Sequence, residues 1–140
     1  MRRDLIDLMF RAFSDRTRLR ILHLLLGGES CVGDIVEVLR LPQPKVSRHL
    51  GYLRKAGLVA VRKAGLWCFY SLAPVESPFH KNLLDCIACC FGDVPELKAD
   101  ARRAAKVKAH GGCCPKPQGD QSCPRRSSNS SGSSTATAGR

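Results

Sequence analysis

The feature that most constrains this chain is a short apolar helix pattern followed at once by a proline-rich turn and a second helix pattern. Residues 32–39 place Val32, Ile35, Val36 and Leu39 at helical spacing. Leu41-Pro42-Gln43-Pro44 leaves room only for a tight connection, because proline suits the first turn of a helix and not its interior. The sequence therefore predicts a helix-turn-helix whose second helix covers residues 44–56.

The second helix of this motif has two different faces. Val46, Leu50 and Leu53 recur at i, i+4 and i+7 and predict a buried face. Its other faces carry Lys45, Ser47, Arg48, His49 and Arg54. Gly57 then ends the helix, and residues 58–72 predict two short strands around a turn at Lys63-Ala64-Gly65.

Four further helices complete the predicted fold. Apolar periodicity predicts helices at residues 4–13, 15–26, 77–91 and 95–109, with Ser14 or Asp15 capping the second of them. In that helix we expect the leucines to face the core and Arg16, Arg18 and Arg20 to point outward. The fold class is mainly α with a small β-hairpin, an α+β winged helix-turn-helix.

Composition divides the chain into three parts. We expect a DNA-binding and dimerisation domain at residues 1–95, a charged helix at 96–110 and a Cys-, Ser- and Gly-rich tail at 111–140. The stretch from residue 127 to the end holds no large apolar side chain, so it cannot form a packed core. The tail is predicted to be disordered without a ligand.

Charge and cysteine content bound the function. The chain has 23 Lys and Arg against 12 Asp and Glu, a balance that favours a polyanionic partner such as nucleic acid. No run of eighteen apolar residues or secretion signal is visible, so we expect a cytoplasmic protein with no membrane partner. Cytosolic thiols stay reduced, which makes metal, metalloid or redox chemistry the expected use of eight cysteines.

The helix-turn-helix predicts contacts with double-stranded DNA. A helix of this width fits the major groove, and a hairpin beside it can reach the backbone. The predicted contacts are Gln43, Lys45, Ser47, Arg48, His49 and Arg54 on the helix, and Arg62 and Lys63 on the wing. The alternative interpretation of these polar side chains is a solvated helix face.

Three segments resemble the ArsR/SmtB-type metal- and metalloid-responsive repressors. They are FRAFSDRTRLRIL at residues 10–22, LPQPKVSRHL at 41–50 and LRKAGLV at 53–59. The resemblance spans about residues 5–95. It implies a homodimer whose first and last helices form the interface, and hence an inverted-repeat operator.

The effector sites known in that family do not carry over. Its arsenite sensors have a Cys-x-Cys pair where this chain has Cys31 and Gly33, so we expect Cys31 to be a small buried residue. Its zinc sensors place repeated Asp, His and Glu ligands on the last helix, where this chain offers only His80 and Asp85. No permanent cofactor is predicted.

Two cysteine clusters remain as candidate sensors. The first choice is Cys113, Cys114 and Cys123 in the tail, where a loop could wrap three sulfurs around trivalent arsenic. The second choice is Cys86, Cys89 and Cys90, which share one helix face but also suit packing. Thiolates select soft ions, so arsenite, antimonite or another soft metal ion is the predicted inducer. Cys68, in the wing, is expected to pack.

Three alternatives stay open at this point. The same fold could sense oxidants through disulfide formation. It could bind DNA constitutively, with incidental cysteines. An enzyme, for example a thiol-redox protein or an arsenate reductase, is disfavoured because no Cys-x-x-Cys follows a strand and no phosphate-binding glycine loop is present.

Overall fold

The computed structural model describes residues 3–112, and the predicted helices and hairpin strands occur in it in the predicted order, with one further short strand. The elements are α1 Arg3–Phe13, α2 Arg16–Leu26, β1 Ser30–Cys31, α3 Val32–Leu39, α4 Gln43–Lys55, β2 Val59–Ala64, β3 Trp67–Leu72, α5 Pro78–Cys90 and α6 Pro95–Ala109. This confirms a mainly helical protein with a small antiparallel sheet. Within residues 3–112, no helix is both long and apolar enough to cross a membrane.

Local capping explains where α2 begins. Asp15 has an extended backbone, and its carboxylate accepts a hydrogen bond of 3.0 Å from the Arg18 backbone N–H. This bond satisfies one of the backbone donors that a helix N-terminus leaves without an intrahelical partner. Of the two predicted caps, Asp15 is therefore the one that acts.

The sheet has three strands in the order β1-β3-β2, all antiparallel. Strand β2 extends through Ala64, which pairs with Trp67, so the turn falls on Gly65 and Leu66 and begins two residues later than predicted. Gly65 adopts φ +61°, a conformation that glycine accepts without strain. Strand β1 was not predicted, because two residues are too few to show a period.

The core lies between α2, α3 and α4. Val46, Leu50 and Leu53 are fully buried, as predicted, and they pack with Ile21, Leu22, Ile35 and Leu39 in one cluster. Burying side chains of this size contributes about 1.5–3 kcal/mol each. This cluster holds the two helices of the helix-turn-helix at a fixed angle.

Arg20 corrects the sequence prediction. It was expected to point outward but is only 8% exposed, and its Nε and one terminal nitrogen donate to the Asp100 carboxylate at 2.7 and 2.8 Å. The same terminal nitrogen donates to the Leu39 carbonyl at 2.9 Å. Hydrogen bonding to Asp100 raises the pKa of Arg20. The prediction was wrong because the partner of Arg20, Asp100, lies eighty residues away in the sequence. The apolar period of α2 does not show which other helix packs against it.

Helix α6 lies in the groove between α2 and α3. Near its start Glu96 faces Arg16 and Arg20 at 3.5 Å, and near its end Lys108 Nζ donates to the Gly27 carbonyl at 3.2 Å. Helix α6 therefore runs in the same direction as α2. Its side chains Leu97, Asp100 and Val107 are buried in this groove.

We expect Asp100→Ala to be strongly destabilising. The substitution leaves the Arg20 guanidinium buried without its carboxylate, and breaking a buried pair in this way costs about 3–5 kcal/mol. Urea unfolding followed by circular dichroism measures the loss. The control is Asp93→Ala, which removes a fully exposed carboxylate and should cost less than about 1 kcal/mol. Equal effects of the two substitutions would contradict the buried-pair interpretation.

His80 makes stability depend on pH. The side chain is 1% exposed, no described residue hydrogen-bonds its Nε2, and burial lowers its pKa below the ordinary 6.5. At His80 the folded state therefore binds fewer protons than the unfolded state, so we expect the contribution of His80 to lower stability as the pH drops below 6.5.

His80→Leu should flatten this dependence. The measurement is the urea midpoint at about pH 7.5 and about pH 5 for wild type and variant. The wild type should lose more stability on acidification than the variant does. An identical loss in both would show that His80 is not responsible.

Candidate nucleic-acid interface

The helix-turn-helix is formed by α3 and α4 and the turn between them. Arg40 ends α3 in the left-handed region at φ +54°, and its N–H donates to the Val36 carbonyl at 2.9 Å. Pro42 and Pro44 then open α4, where Pro44 lies in the first turn, as predicted. Only residues 40–42 therefore separate α3 from α4, and both helices pack into the same core.

Helix α4 presents a polar, basic face to solvent. The exposed predicted contacts are Gln43, Lys45, Ser47, Arg48 and Arg54. The opposite face is completely buried in the core, and this burial fixes the orientation of α4. Nothing in the described structure covers its polar face. An exposed helix with donors and cations in its first turns has the chemistry needed for major-groove base edges and phosphates.

His49 lies apart from this exposed face. It is half-buried, with Nδ1 3.8 Å from an Asp15 carboxylate oxygen and 3.5 Å from a terminal nitrogen of Arg18. Burial lowers the pKa of His49, although the nearby Asp15 carboxylate opposes that effect. The structure therefore places the imidazole against the start of α2.

Arg18 is a residue whose role the sequence prediction missed. It is half-buried, and its guanidinium lies 4.2 Å from the centre of the Tyr52 ring of α4. It also donates to the carbonyls of Ala12 at 3.1 Å and Arg11 at 2.8 Å, at the end of α1. Arg18 thus joins α1 to α4. Helical periodicity carries no signal for such a contact, because Tyr52 is distant in sequence.

The wing places its two predicted cations differently. Arg62 donates to Glu29 at 2.7 Å and lies 4.6 Å from the centre of the Phe69 ring. Lys63 is exposed near the tip, opposite Cys68. Lys63 is therefore the wing cation directed into solvent, whereas Arg62 is held against the sheet.

An open groove of about 520 Å³ separates α4 from the wing. It is lined by Gly51, Arg54, Lys55, Val59, Ala60 and Val61. Arg54 and Lys55 make its helical wall basic. The wall formed by β2 is apolar, so the positive charge of the groove lies on α4, where it suits a phosphate backbone.

Within residues 3–112, the cysteines lie on β1, β3 and α5. Cys31 is 1% exposed, as expected, and its Sγ accepts a hydrogen bond of 3.4 Å from the Asp34 backbone N–H. Cys68 is half-buried. In residues 3–112, no group of three or more His, Cys, Asp or Glu side chains is placed to hold a metal ion.

Of the two candidate sensor clusters, only the one on α5 lies within the described residues. Cys86, Cys89 and Cys90 are all exposed on α5, and a hydrogen bond between the thiols of Cys86 and Cys90 raises the pKa of Cys90. Cys113, Cys114 and Cys123 lie outside the described residues.

Comparison with known proteins agrees with this architecture. Residues 15–61, from the cap of α2 into β2, match the family model described as bacterial regulatory protein, arsR family. The arsenical resistance operon repressor of Escherichia coli K12 is 36% identical over 104 residues, which are 74% of this chain and 87% of that protein. The Bacillus subtilis protein of the same name is 31% identical over 106 residues, covering 75% and 86%.

A solved structure shows the same fold. Reduced HlyU from Vibrio cholerae matches with a TM-score of 0.56 and 31% identity, covering 64% of this chain and 92% of that one. The relatives and structural neighbours are transcriptional regulators and not enzymes. The chain thus belongs to the ArsR family of winged helix-turn-helix, DNA-binding transcriptional regulators.

Proposed function

We propose that the protein is a homodimeric repressor that binds an inverted-repeat DNA operator and releases it when a thiophilic ion, trivalent arsenic first, binds to cysteine thiolates. The observation that supports DNA binding is the exposed basic face of α4, which lies opposite a fully buried apolar face. The sensor half is supported by the names of the Escherichia coli and Bacillus subtilis relatives, both arsenical resistance operon repressors.

Dimerisation through α1 and α5 would supply the second recognition helix. Phe10 of α1 is 55% exposed, and its ring lies 5.3 Å from that of Phe79 on α5. The exposed Phe10 ring, supported by the partly buried Phe79 of the neighbouring helix, is suited to burial against a second copy. Two α4 helices related by two-fold symmetry then address successive major grooves of an inverted repeat.

The proposed ligands are Cys113, Cys114 and Cys123, with Cys86, Cys89 and Cys90 as the second choice. Three thiolates suit trivalent arsenic and other soft ions. Ion binding favours a dimer geometry that fits the operator less well. It can do so only if the ion binds this geometry more tightly than it binds the DNA-bound geometry. A coupling of about 1–3 kcal/mol would lower operator affinity by about fivefold to 150-fold.

A redox-sensing repressor is a second candidate. The exposed thiols of Cys86 and Cys90, four residues apart on α5, favour it, because exposure is one of the two properties that make a thiol susceptible to oxidants. A peroxide would accept two electrons as two thiols lose their protons and form one disulfide. Mass spectrometry after peroxide and after arsenite, each paired with DNA-binding measurements, distinguishes the two candidates.

Arg48→Ala should weaken specific DNA binding. Loss of a side chain that contacts a base edge or phosphate costs about 1–3 kcal/mol, a decrease in affinity of about fivefold to 150-fold. The measurement is fluorescence anisotropy on a duplex that the wild type has selected from a random pool. Arg102→Ala, an exposed arginine on α6, is the matched control and should bind as the wild type does. An unchanged affinity for Arg48→Ala would contradict the proposed interface.

Lys63→Gln should change the salt dependence of binding. If Lys63 contacts one phosphate, the slope of log affinity against log salt should decrease in magnitude by about 0.9. Arg102→Gln should leave the slope at its wild-type value. A wild-type slope for Lys63→Gln would remove the wing tip from the interface.

The Cys113, Cys114 and Cys123 triple Ser variant should bind the duplex normally but fail to release it. Under reducing conditions, arsenite should lower wild-type affinity by about fivefold to 150-fold and leave the variant unchanged. The matched control is the triple Ser variant at Cys86, Cys89 and Cys90. If only this control loses the response, the sensor lies on α5. If the wild type does not respond at all, the arsenic proposal is wrong.

A further inference from the structure

The wing ends in a leucine that is completely open to solvent. Leu66, in the turn between β2 and β3, is 100% exposed, the highest value of any large apolar side chain in residues 3–112. Trp67 beside it is 36% exposed. Single exposed leucines are common on protein surfaces, so exposure alone identifies no partner. Leu66 differs from them in its position, at the outermost point of the wing of a DNA-binding protein.

The turn holds Leu66 in a fixed position. Ala64 pairs with Trp67, so Gly65 and Leu66 form a two-residue turn. Gly65 has φ +61°, whereas the φ of Leu66 is not positive, and this combination is typical of a type II′ turn. Such a turn matches the twist of the two strands, which are paired over six residues each. The leucine is thus presented on a rigid arm, and little conformational entropy is lost when it binds.

The root of the wing lies beside the recognition helix. Val59, Ala60 and Val61 of β2 form one wall of the groove whose other wall is α4. A strand rises by about 3.4 Å per residue, so the tip of the hairpin lies about 17 Å beyond Ala60. The major groove that would hold α4 is only about 12 Å wide. The tip therefore extends past the edge of that groove, to the phosphate backbone and the minor groove behind it.

The tip has the chemistry of a minor-groove contact. Lys63, exposed three residues before Leu66, supplies a cation for the phosphates at the groove edge. The minor groove is about 6 Å wide, which is too narrow for a helix but admits one side chain on a tight turn. Proteins that enter it frequently insert an apolar wedge, leucine included, between two base pairs, and the kinked duplex then contacts more protein. The net charge of +11 favours DNA over an apolar protein surface as the partner.

We propose that Leu66 enters the DNA minor groove beside the site of α4 as an apolar wedge and kinks the duplex there. The inference rests on the proposed DNA interface of α4 but not on an ion. Leu66 then contributes to sequence preference without a hydrogen bond to a base, because pyrimidine–purine steps such as TA unstack more easily than other steps do. Helix α4 contacts base edges, whereas the wing selects a neighbouring step that deforms readily.

The first test compares Leu66→Ala with Val75→Ala. Leu66 is fully exposed, so its truncation removes no packing within the described structure and the variant should fold. Leu66→Ala should lower affinity for the selected duplex about fivefold to 20-fold, because lost apolar burial outweighs the avoided cost of unstacking. The slope of log affinity against log salt should keep its wild-type value, since no phosphate contact is lost.

Val75 is the matched control, because it is 50% exposed and lies between β3 and α5, outside the wing and α4. Val75→Ala should equal the wild type in both affinity and salt slope. An unchanged affinity for Leu66→Ala, or an equal loss in Val75→Ala, overturns the inference.

Trp67 reports directly on the wing tip, because the chain has a single tryptophan. Binding of the selected duplex should change Trp67 emission and protect the ring from quenching by acrylamide, since a tip inside the groove is shielded from solvent. A shorter duplex that ends at the base pairs bound by α4 should protect it less. Emission and quenching that the full duplex leaves unchanged would show that the tip stays in solvent, and would overturn the inference.

DNA bending tests the wedge itself. Energy transfer between dyes at the two ends of the selected duplex should rise when the wild type binds, as expected for a kink of about 20–90°. It should rise less with Leu66→Ala, and Leu66→Met, which keeps an apolar wedge, should restore both bending and affinity. Equal bending by the wild type and Leu66→Ala overturns the inference.

Two further outcomes separate this inference from its neighbours. If Leu66→Ala changes the oligomeric state in sedimentation measurements, Leu66 contacts a second copy and the inference is wrong. If Arg48→Ala binds the duplex as the wild type does, the proposed interface of α4 fails first. That outcome is distinct from weakened binding by Arg48→Ala alongside unaltered binding by Leu66→Ala, which overturns the wedge alone.

Discussion

The buried ion pair between Arg20 and Asp100 holds the C-terminal helix to the DNA-binding motif. Its two hydrogen bonds of 2.7 and 2.8 Å place α6 in the groove between α2 and α3. Ions are costly to bury, and their mutual attraction offsets that cost only when the remaining donors and acceptors are also satisfied. Here Arg103 and the two carbonyls at the end of α3 complete the set.

Arg18 performs a similar task on the opposite side of the motif. It contacts carbonyls at the end of α1 and the Tyr52 ring of α4, close to His49. The helix-turn-helix is therefore held by one arginine of α2 toward α1 and by another toward α6. Both residues join elements that are far apart in sequence, and both leave the outer face of α4 open. A DNA-binding regulator needs this arrangement, because its recognition surface must stay exposed while the helices behind it are held in place.

The part of the candidate interface that lies on helix α4 was predictable from the sequence. Val46, Leu50 and Leu53 fixed which face of α4 is buried, so exposure of Lys45, Ser47 and Arg48 followed from the 3.6-residue period. His49 and Arg62 show where such reasoning stops. Their surroundings are Asp15, Arg18, Glu29 and Phe69, and the period of a single element says nothing about what another element brings near.

The sequence by itself determined the helix boundaries, the hairpin and the position of the helix-turn-helix, because caps, prolines and apolar spacing act over a few residues. The motifs at residues 10–22, 41–50 and 53–59 also indicated the protein family. Only the tertiary structure decided that Arg20 is buried, that Arg18 connects α1 with α4, and that α6 lies against α3. Those outcomes depend on charged side chains, which any local sequence pattern assigns to the surface. Such a side chain is buried and joins two elements only when folding excludes water and brings a partner from a distant segment.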